Sequence, residues 1–320
     1  MNSIPLPQPL RGIVPPLVTP LLDQEQLDLP GLERLIDRLL AGGVHALFAL
    51  GTTGEGPSLA YALRHQFVER LCELVDCRVP VLVGITDTAF DESIELAEKA
   101  HAAGASGVVA ATPYYLPLSQ SELVAYVESL AERLPLPLLL YNMPACTKVE
   151  FEPETVLRLS ELENVIGVKD SSGSMAYVRK VHALLADRPD FTLLVGPEEL
   201  LAESVHLGAH GGVNGGANMF PALYVALYEA SVAGDQERMD RLQTHVMRIS
   251  RSIYAVGRDA SRHVKGIKSA LKWMGVCDDY VAQPFRRLEG AEREAVGRYV
   301  EELEAVLEPL SPRDSVAEPG

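Results

Sequence analysis

The stretch Asn164-Val165-Ile166-Gly167-Val168-Lys169-Asp170-Ser171-Ser172-Gly173 decides the fold. A short apolar run of strand character ends at a lysine, a Gly/Ser turn follows, and residues 175–185 then place apolar side chains at helical spacing. The unit is strand, turn, helix. Lys169 stands at the carboxyl end of the strand, either as the first residue of a solvated loop or as an amine drawn out of water. Burial disfavours the charged form of an amine, and a neutral amine is a nucleophile for carbonyl carbon.

The same unit recurs on both sides of this stretch. Strand-like runs at 13–18, 46–50, 79–85, 107–111, 136–141, 165–169, 192–195 and 211–214 alternate with helical patterns at 30–41, 61–75, 91–103, 119–133, 154–161, 175–185 and 198–207. Strands separated by helices pair in parallel through right-handed crossovers. Eight units favour closure into a (β/α)8 TIM barrel over an open doubly wound sheet. The expected division is 1–221 for the barrel with its active site and 222–308 for a helical region packed on it, with breaks near Gly234, Gly257, Gly275 and Pro284. Residues 309–320, polar and proline-rich, are expected to be a disordered tail.

Composition bounds the function. With 320 residues, 47% hydrophobic and 22% charged, the chain can bury one large core. Its 28 Lys+Arg against 44 Asp+Glu give a net charge of -16, which opposes contact with phosphate backbones, so no nucleic-acid partner is expected. No apolar run approaches the ~18 to 20 residues that span a bilayer, and residues 1–7 lack the basic flank and apolar stretch of a secretory signal. A cytoplasmic location without membrane contact is expected. Cys72, Cys77, Cys146 and Cys277 lack metal-ligand spacing, so reduced thiols and no metal site are expected.

In a barrel the carboxyl ends of the strands converge on one mouth. The second run ends in Gly51-Thr52-Thr53-Gly54-Glu55-Gly56, the fourth in Thr112-Pro113-Tyr114-Tyr115, the fifth in Tyr141-Asn142-Met143-Pro144 and the sixth in Lys169. Two hydroxyls, several phenols and an amine are thereby expected to share a pocket. The Gly-Thr-Thr-Gly segment lacks a P-loop lysine. Its backbone N–H groups and hydroxyls suit a small carboxylate, and the same residues equally make a tight turn that caps the next helix. Tyr115 and Tyr141 are read either as site phenols or as amphipathic core residues.

Gly51-Thr52-Thr53-Gly54-Glu55, Tyr141-Asn142-Met143-Pro144 and Gly167-Val168-Lys169-Asp170, in this order and at these separations, resemble the dihydrodipicolinate synthase/N-acetylneuraminate lyase family of class I, pyruvate-dependent aldolases. The resemblance runs from about residue 10 to 305 and implies a barrel followed by a helical region. It implies that Lys169 forms the Schiff base with pyruvate, that Tyr141 transfers protons and that Thr52 is the relay hydroxyl beside it. Thr53 and the Gly51 segment resemble the carboxylate cradle, Tyr115 the tyrosine that reaches a neighbouring subunit's site, and Gly196 and Val213 positions lining the pyruvate pocket. No metal or organic cofactor is implied, because the covalent imine is the electron sink. A homo-oligomer, tetramer or dimer, is expected.

The second substrate is less fixed by these motifs. Dihydrodipicolinate synthases carry an arginine two residues after Tyr-Asn-x-Pro, where this chain has Cys146, and a thiol cannot supply that bidentate contact. Lys148 is a possible point-charge substitute. Gly196-Pro197-Glu198-Glu199 resembles the Gly-x-Asp-Glu of N-acetylneuraminate lyases, so Glu198 and Glu199 either hold polyol hydroxyls or open the next helix; Asn214 either bonds substrate or its own turn. The leading expectation is an aldolase or lyase joining pyruvate to, or releasing it from, a small aldehyde, with a 2-keto-3-deoxy sugar acid or related keto acid as product or substrate. The alternatives are 4-hydroxy-tetrahydrodipicolinate synthase acting on pyruvate and aspartate semialdehyde, a keto-deoxy acid dehydratase, and a non-catalytic pyruvate-binding protein. Cys146 is expected to be a buried, inert thiol, and Arg258, Arg262, His263, Lys265 and Lys268 a solvated or inter-subunit face.

Overall fold

The computed structural model describes residues 3–307; the expected tail at 309–320 lies outside the described residues. Eight strands, β1 (Gly12–Ile13), β2 (Leu47–Ala49), β3 (Val81–Gly84), β4 (Gly107–Ala111), β5 (Leu138–Asn142), β6 (Val165–Asp170), β7 (Thr192–Val195) and β8 (Gly211–Gly212), pair in parallel in the order β1-β8-β7-β6-β5-β4-β3-β2. The two ends of that order meet. Phe48 N donates to Pro15 O at 3.0 Å and Leu17 N to Phe48 O at 2.8 Å, which closes the sheet into a (β/α)8 barrel.

β1 and β8 are shorter than the runs at 13–18 and 211–214. Pro15 and Pro16 have no N–H to give a ladder. At Gly211 the two strands approach so closely that a side-chain carbon would lie 1.9 Å from Gly12 O. The helices that separate the strands are α1 (Leu29–Ala41), α2 (Tyr61–Val75), α3 (Phe90–Ala103), α4 (Gln120–Arg133), the single turn α5 (Pro144–Thr147), α6 (Pro153–Leu159), α7 (Met175–Leu184) and α8 (Leu201–Leu207). α4 starts at a reciprocal cap, Ser119 with Glu122. The run expected at 198–207 divides into a 3-10 turn, Glu198–Leu200, and α8.

α9 (Pro221–Ala233) follows β8 and packs on β1 and α8, completing the ring of helices. α10 (Gln236–Arg251), α11 (Arg262–Trp273) and α12 (Gly290–Leu307) then lie beside the barrel. The basic cluster expected on a solvated face is divided. Arg258 and Arg262 are exposed, but α11 is buried from Val264 to Leu271, so Lys265 and Lys268 cannot face water and are paired with Asp259 and Glu55.

Two apolar cores divide the side chains of β2, β3, β4, β5 and β7 with the two-residue period of the pleat. Leu47, Val83, Val108, Leu140 and Val195 face the helices, whereas Phe48, Leu82, Val109, Leu139, Tyr141 and Leu194 fill the barrel interior.

Candidate active site

The pleat aims Lys169. Val168 belongs to the outer core, so its successor points inward, and the register sets Lys169 beside Tyr141 of β5 and Leu194 of β7, both interior residues. Lys169 is 4% exposed, with Nζ 3.9 Å from the centre of the Tyr141 ring and 5.0 Å from that of Phe48. The amine is thus withdrawn from water and rests on aromatic faces. Asp170 points the other way and is fully buried. It accepts from Asn142 Nδ2 at 2.8 Å, Ser172 N at 3.2 Å and Ser172 Oγ at 2.9 Å, while Asn142 Oδ1 accepts from Phe151 N at 3.1 Å. Burial pushes the Asp170 carboxyl up, and these bonds oppose that shift without cancelling it. This clamp between the ends of β5 and β6 fixes Tyr141 relative to Lys169. Nothing in the sequence alone assigns Asn142 and Asp170 a role; polar side chains ending adjacent strands are the available signal.

Thr52 Oγ1 and Tyr141 Oη lie 3.2 Å apart. The loop that carries Thr52 is bounded by two left-handed residues, Leu50 and Glu55, each at φ 57. Non-glycine residues hold such a conformation only when their surroundings impose it. Here Glu55 is fully buried, paired with Lys268 of α11, and accepts from Ala282 N at 2.7 Å, while Lys268 also donates to Tyr280 O at 2.7 Å. Thr19 Oγ1 donates to Gly54 O at 2.7 Å on the same loop. Gly51, Thr52 and Tyr141 line a cavity of about 230 Å³ at the carboxyl ends of the strands, and Phe48, which carries the Lys169 amine with Tyr141, lines it too.

The model of the dihydrodipicolinate synthetase family matches residues 9–303. The chain belongs to that family. It is 31% identical to the 4-hydroxy-tetrahydrodipicolinate synthase of Geobacter metallireducens over 92% of this chain and 99% of the relative. It is 40% identical to the putative 2-dehydro-3-deoxy-D-gluconate aldolase YagE of Escherichia coli over 62% of this chain and 66% of that protein. Among solved structures, the dihydrodipicolinate synthase of Bacteroides thetaiotaomicron is similar at a TM-score of 0.90 and 54% identity, covering 92% of this chain and 99% of that one. YagE in complex with pyruvate is similar at 0.87 and 33%, covering 92% and 98%. The chain is a lyase of the dihydrodipicolinate synthetase family.

In this family member the remaining expected residues fall into two groups. Thr53 is buried at the Thr52 loop, and Val213 is buried in the interior core with Tyr141 and Phe48. Gly196 N donates to Asp170 O at 2.7 Å, and a side-chain carbon there would lie 2.1 Å from Ser171 Oγ, so the end of β7 packs on the turn after Lys169. Asn214 Nδ2 donates to Gly196 O at 2.9 Å and ties the loop after β8 to that same point.

Glu198 and Glu199 turn toward the C-terminal helices and do not line the cavity. Glu198 is buried and accepts from Gly216 N at 2.6 Å, Tyr254 Oη at 2.7 Å and Tyr224 Oη. Burial pushes its carboxyl up to about 7 even against these three donors. Glu199 accepts from Ser250 Oγ of α10 at 2.6 Å. Tyr115 is 81% exposed, and Tyr114 is the loop phenol that reaches the cavity in the single chain. Cys146 is exposed and lines the cavity, against the expectation of a buried thiol; α5 is one turn at the rim and presents it there. The partial cover it does have still pushes the thiol pKa up, outweighing Lys148 and Lys169. Lys148 is left-handed at φ 65 and its ammonium donates to Ala145 O at 3.1 Å.

Proposed function

We propose that the chain is a Schiff-base-forming aldolase or lyase that joins pyruvate to a small aldehyde or releases it from a keto-deoxy acid. The observation that carries this reading is the buried Lys169 amine beside the Tyr141–Thr52 hydroxyl pair. Complexes of YagE and of the Acinetobacter baumannii dihydrodipicolinate synthase with pyruvate support the choice of keto acid.

Lys169 Nζ adds to C2 of pyruvate, and the carbinolamine loses its hydroxyl as water to give a protonated imine. C3 then loses a proton to give the enamine, and its electron pair forms the new bond to the aldehyde carbon. The aldehyde oxygen takes up a proton. Water returns to the imine carbon, freeing a 4-hydroxy-2-keto acid and the amine. Tyr141, oriented by Thr52, carries protons to and from the carbinolamine oxygen and the aldehyde oxygen. The Gly51–Thr53 segment holds the pyruvate carboxylate, with Gly196, Val213 and Asn214 behind it. No metal or organic cofactor enters these steps. Glu198 and Glu199 support the rim without touching substrate. Tyr115 reaches the site of a neighbouring subunit in a homo-oligomer.

Two second substrates remain in this reading. The relative named as a gluconate aldolase favours a 2-keto-3-deoxy sugar acid, and the relatives named as synthases favour aspartate semialdehyde. Pyruvate release from 2-keto-3-deoxygluconate, followed with lactate dehydrogenase, decides between them when set beside consumption of aspartate semialdehyde. Pyruvate release that is lost in Lys169→Ala is the expected result. Turnover of neither compound, nor of any other aldehyde, alongside an intact pyruvyl adduct would leave a non-catalytic pyruvate-binding protein.

A further inference from the structure

β2 and β6 stand four places apart in the eight-stranded order, on opposite sides of the barrel, and each sends one large side chain inward: Phe48 and Lys169. The Phe48 backbone is held on both edges of β2. It pairs with Leu82 of β3 on one side, and with Pro15 O and Leu17 N on the other. The ring is buried, and a side-chain carbon on Gly51 would lie 2.6 Å from its Cε1, so the first glycine of the Gly-Thr-Thr-Gly loop leaves room for it. Phe48 also meets the Tyr141 ring edge to face, with centres 6.4 Å apart. Phe48 has no group that bonds or moves a proton, so its effect on the amine is through shape and charge distribution alone.

Imine formation places a cation at this point. The amine, the keto group of pyruvate and one proton give the imine and one water, and the positive charge is shared between Nζ and C2. A buried charge is costly unless something replaces the lost water. Among the described residues no carboxylate pairs with Lys169 and no atom accepts a hydrogen bond from it. Asp170 interacts with its charge but points out of the barrel, to Asn142 and Ser172. The pyruvate carboxylate arrives only with the substrate. What the protein itself sets against the cation are two ring faces, Phe48 at 5.0 Å and Tyr141 at 3.9 Å from Nζ to the ring centre. The quadrupole of such a face attracts positive charge within about 6 Å.

We infer that the face of Phe48, together with that of Tyr141, holds the positive charge of the pyruvyl imine, so that Phe48 sets how much imine forms at a given pyruvate concentration. This rests on the reading of Lys169 as the imine-forming residue. The role differs from that of Tyr141, whose hydroxyl also carries protons.

The test places at position 48 phenylalanines carrying one, two and three ring fluorines, which keep the ring's shape and withdraw charge from its face in steps. Intact mass after a brief borohydride quench reads the pyruvate concentration at half-maximal adduct. That concentration is expected to rise with each fluorine, by about tenfold in all, the size of a cation–π contact away from water. Exchange of the C3 hydrogens of pyruvate for deuterium, which needs no second substrate, is expected to keep its rate at saturating pyruvate, because a less stabilised imine gives up its C3 proton at least as readily. Phe48→Leu, apolar without an aromatic face, is expected to raise the half-maximal concentration at least as far. An adduct curve that does not respond to fluorination would overturn the inference and leave the imine reading standing. Absence of the adduct from the wild-type protein would overturn both. The fluorinated series decides the matter even if Phe48→Leu fails to fold.

Discussion

At the scale of single residues the site depends on the parity of the pleat. Moving β6 by one residue would turn Lys169 toward the helices and bring Val168 or Asp170 inside, so the interior amine exists only because Tyr141 and Leu194 fix the register. Tyr141 acts through its hydroxyl, whereas its ring also supports Lys169, and the two roles separate on substitution. Tyr141→Phe keeps the ring and should lower kcat by about 10²–10⁴, the usual size of a general acid–base contribution, with a smaller change in KM for pyruvate. Thr52→Val should act in the same direction and less strongly. Steady-state kinetics check both, and an unchanged kcat in Tyr141→Phe would remove the phenol from the proton path. Lys169, Tyr141 and Thr52 could be gathered at one mouth from the sequence because each lies at or just beyond the carboxyl end of a strand-like run. The Asn142–Asp170 clamp was not legible, since it depends on which outward-facing polar groups meet across two strands.

At the scale of elements, the Thr52 loop is held from outside the barrel. The buried pair between Glu55 and Lys268 joins that loop to α11, and the Ala282 N–H completes the carboxylate's coordination. Removing one member of a buried pair leaves an uncompensated charge, which costs more than the intact pair contributes. Lys268→Met should therefore destabilise the protein by about 3–5 kcal/mol, and adding Glu55→Gln should recover part of that loss. Urea unfolding midpoints of the two variants measure it, and equal midpoints for Lys268→Met and wild type would show that the pair does not anchor the loop. The alternation of runs revealed all eight strands and the helices between them except the single turn α5, which is too short to show a helical period. It missed this contact because Lys268 reads as a surface charge until the burial of α11 from Val264 to Leu271 is known. The ends of β1 and β8 were overextended for a related reason: apolar character marks a buried segment, while ladder bonds also need N–H groups and room between backbones.

At the scale of the whole molecule, Glu198 links the end of β7 to the loop after β8, to α9 through Tyr224 and to the segment after α10 through Tyr254. Glu199 and the two phenols are its titratable neighbours, and the His263 ring packs edge-on to Tyr254. Its carboxyl is raised from the ordinary 4.5 to about 7, so folding favours the protonated form. That contribution is fully present below pH 4.5 and is lost as pH rises toward about 7. Glu198→Gln should flatten stability against pH across this window, as read from urea midpoints at several pH values. The same slope in variant and wild type would assign it to other groups. Along the chain Glu198 follows the end of β7, but the direction its side chain takes is set by Tyr224 and Tyr254, which lie 26 and 56 residues away.

The central claim is that Lys169 forms an imine with pyruvate. Intact-mass measurement after incubation with pyruvate and borohydride tests it most directly, with wild type beside Lys169→Ala. A single reduced pyruvyl adduct on the wild type, absent from the variant, is the predicted result. An unmodified wild-type mass, or an adduct that persists in Lys169→Ala, would contradict it.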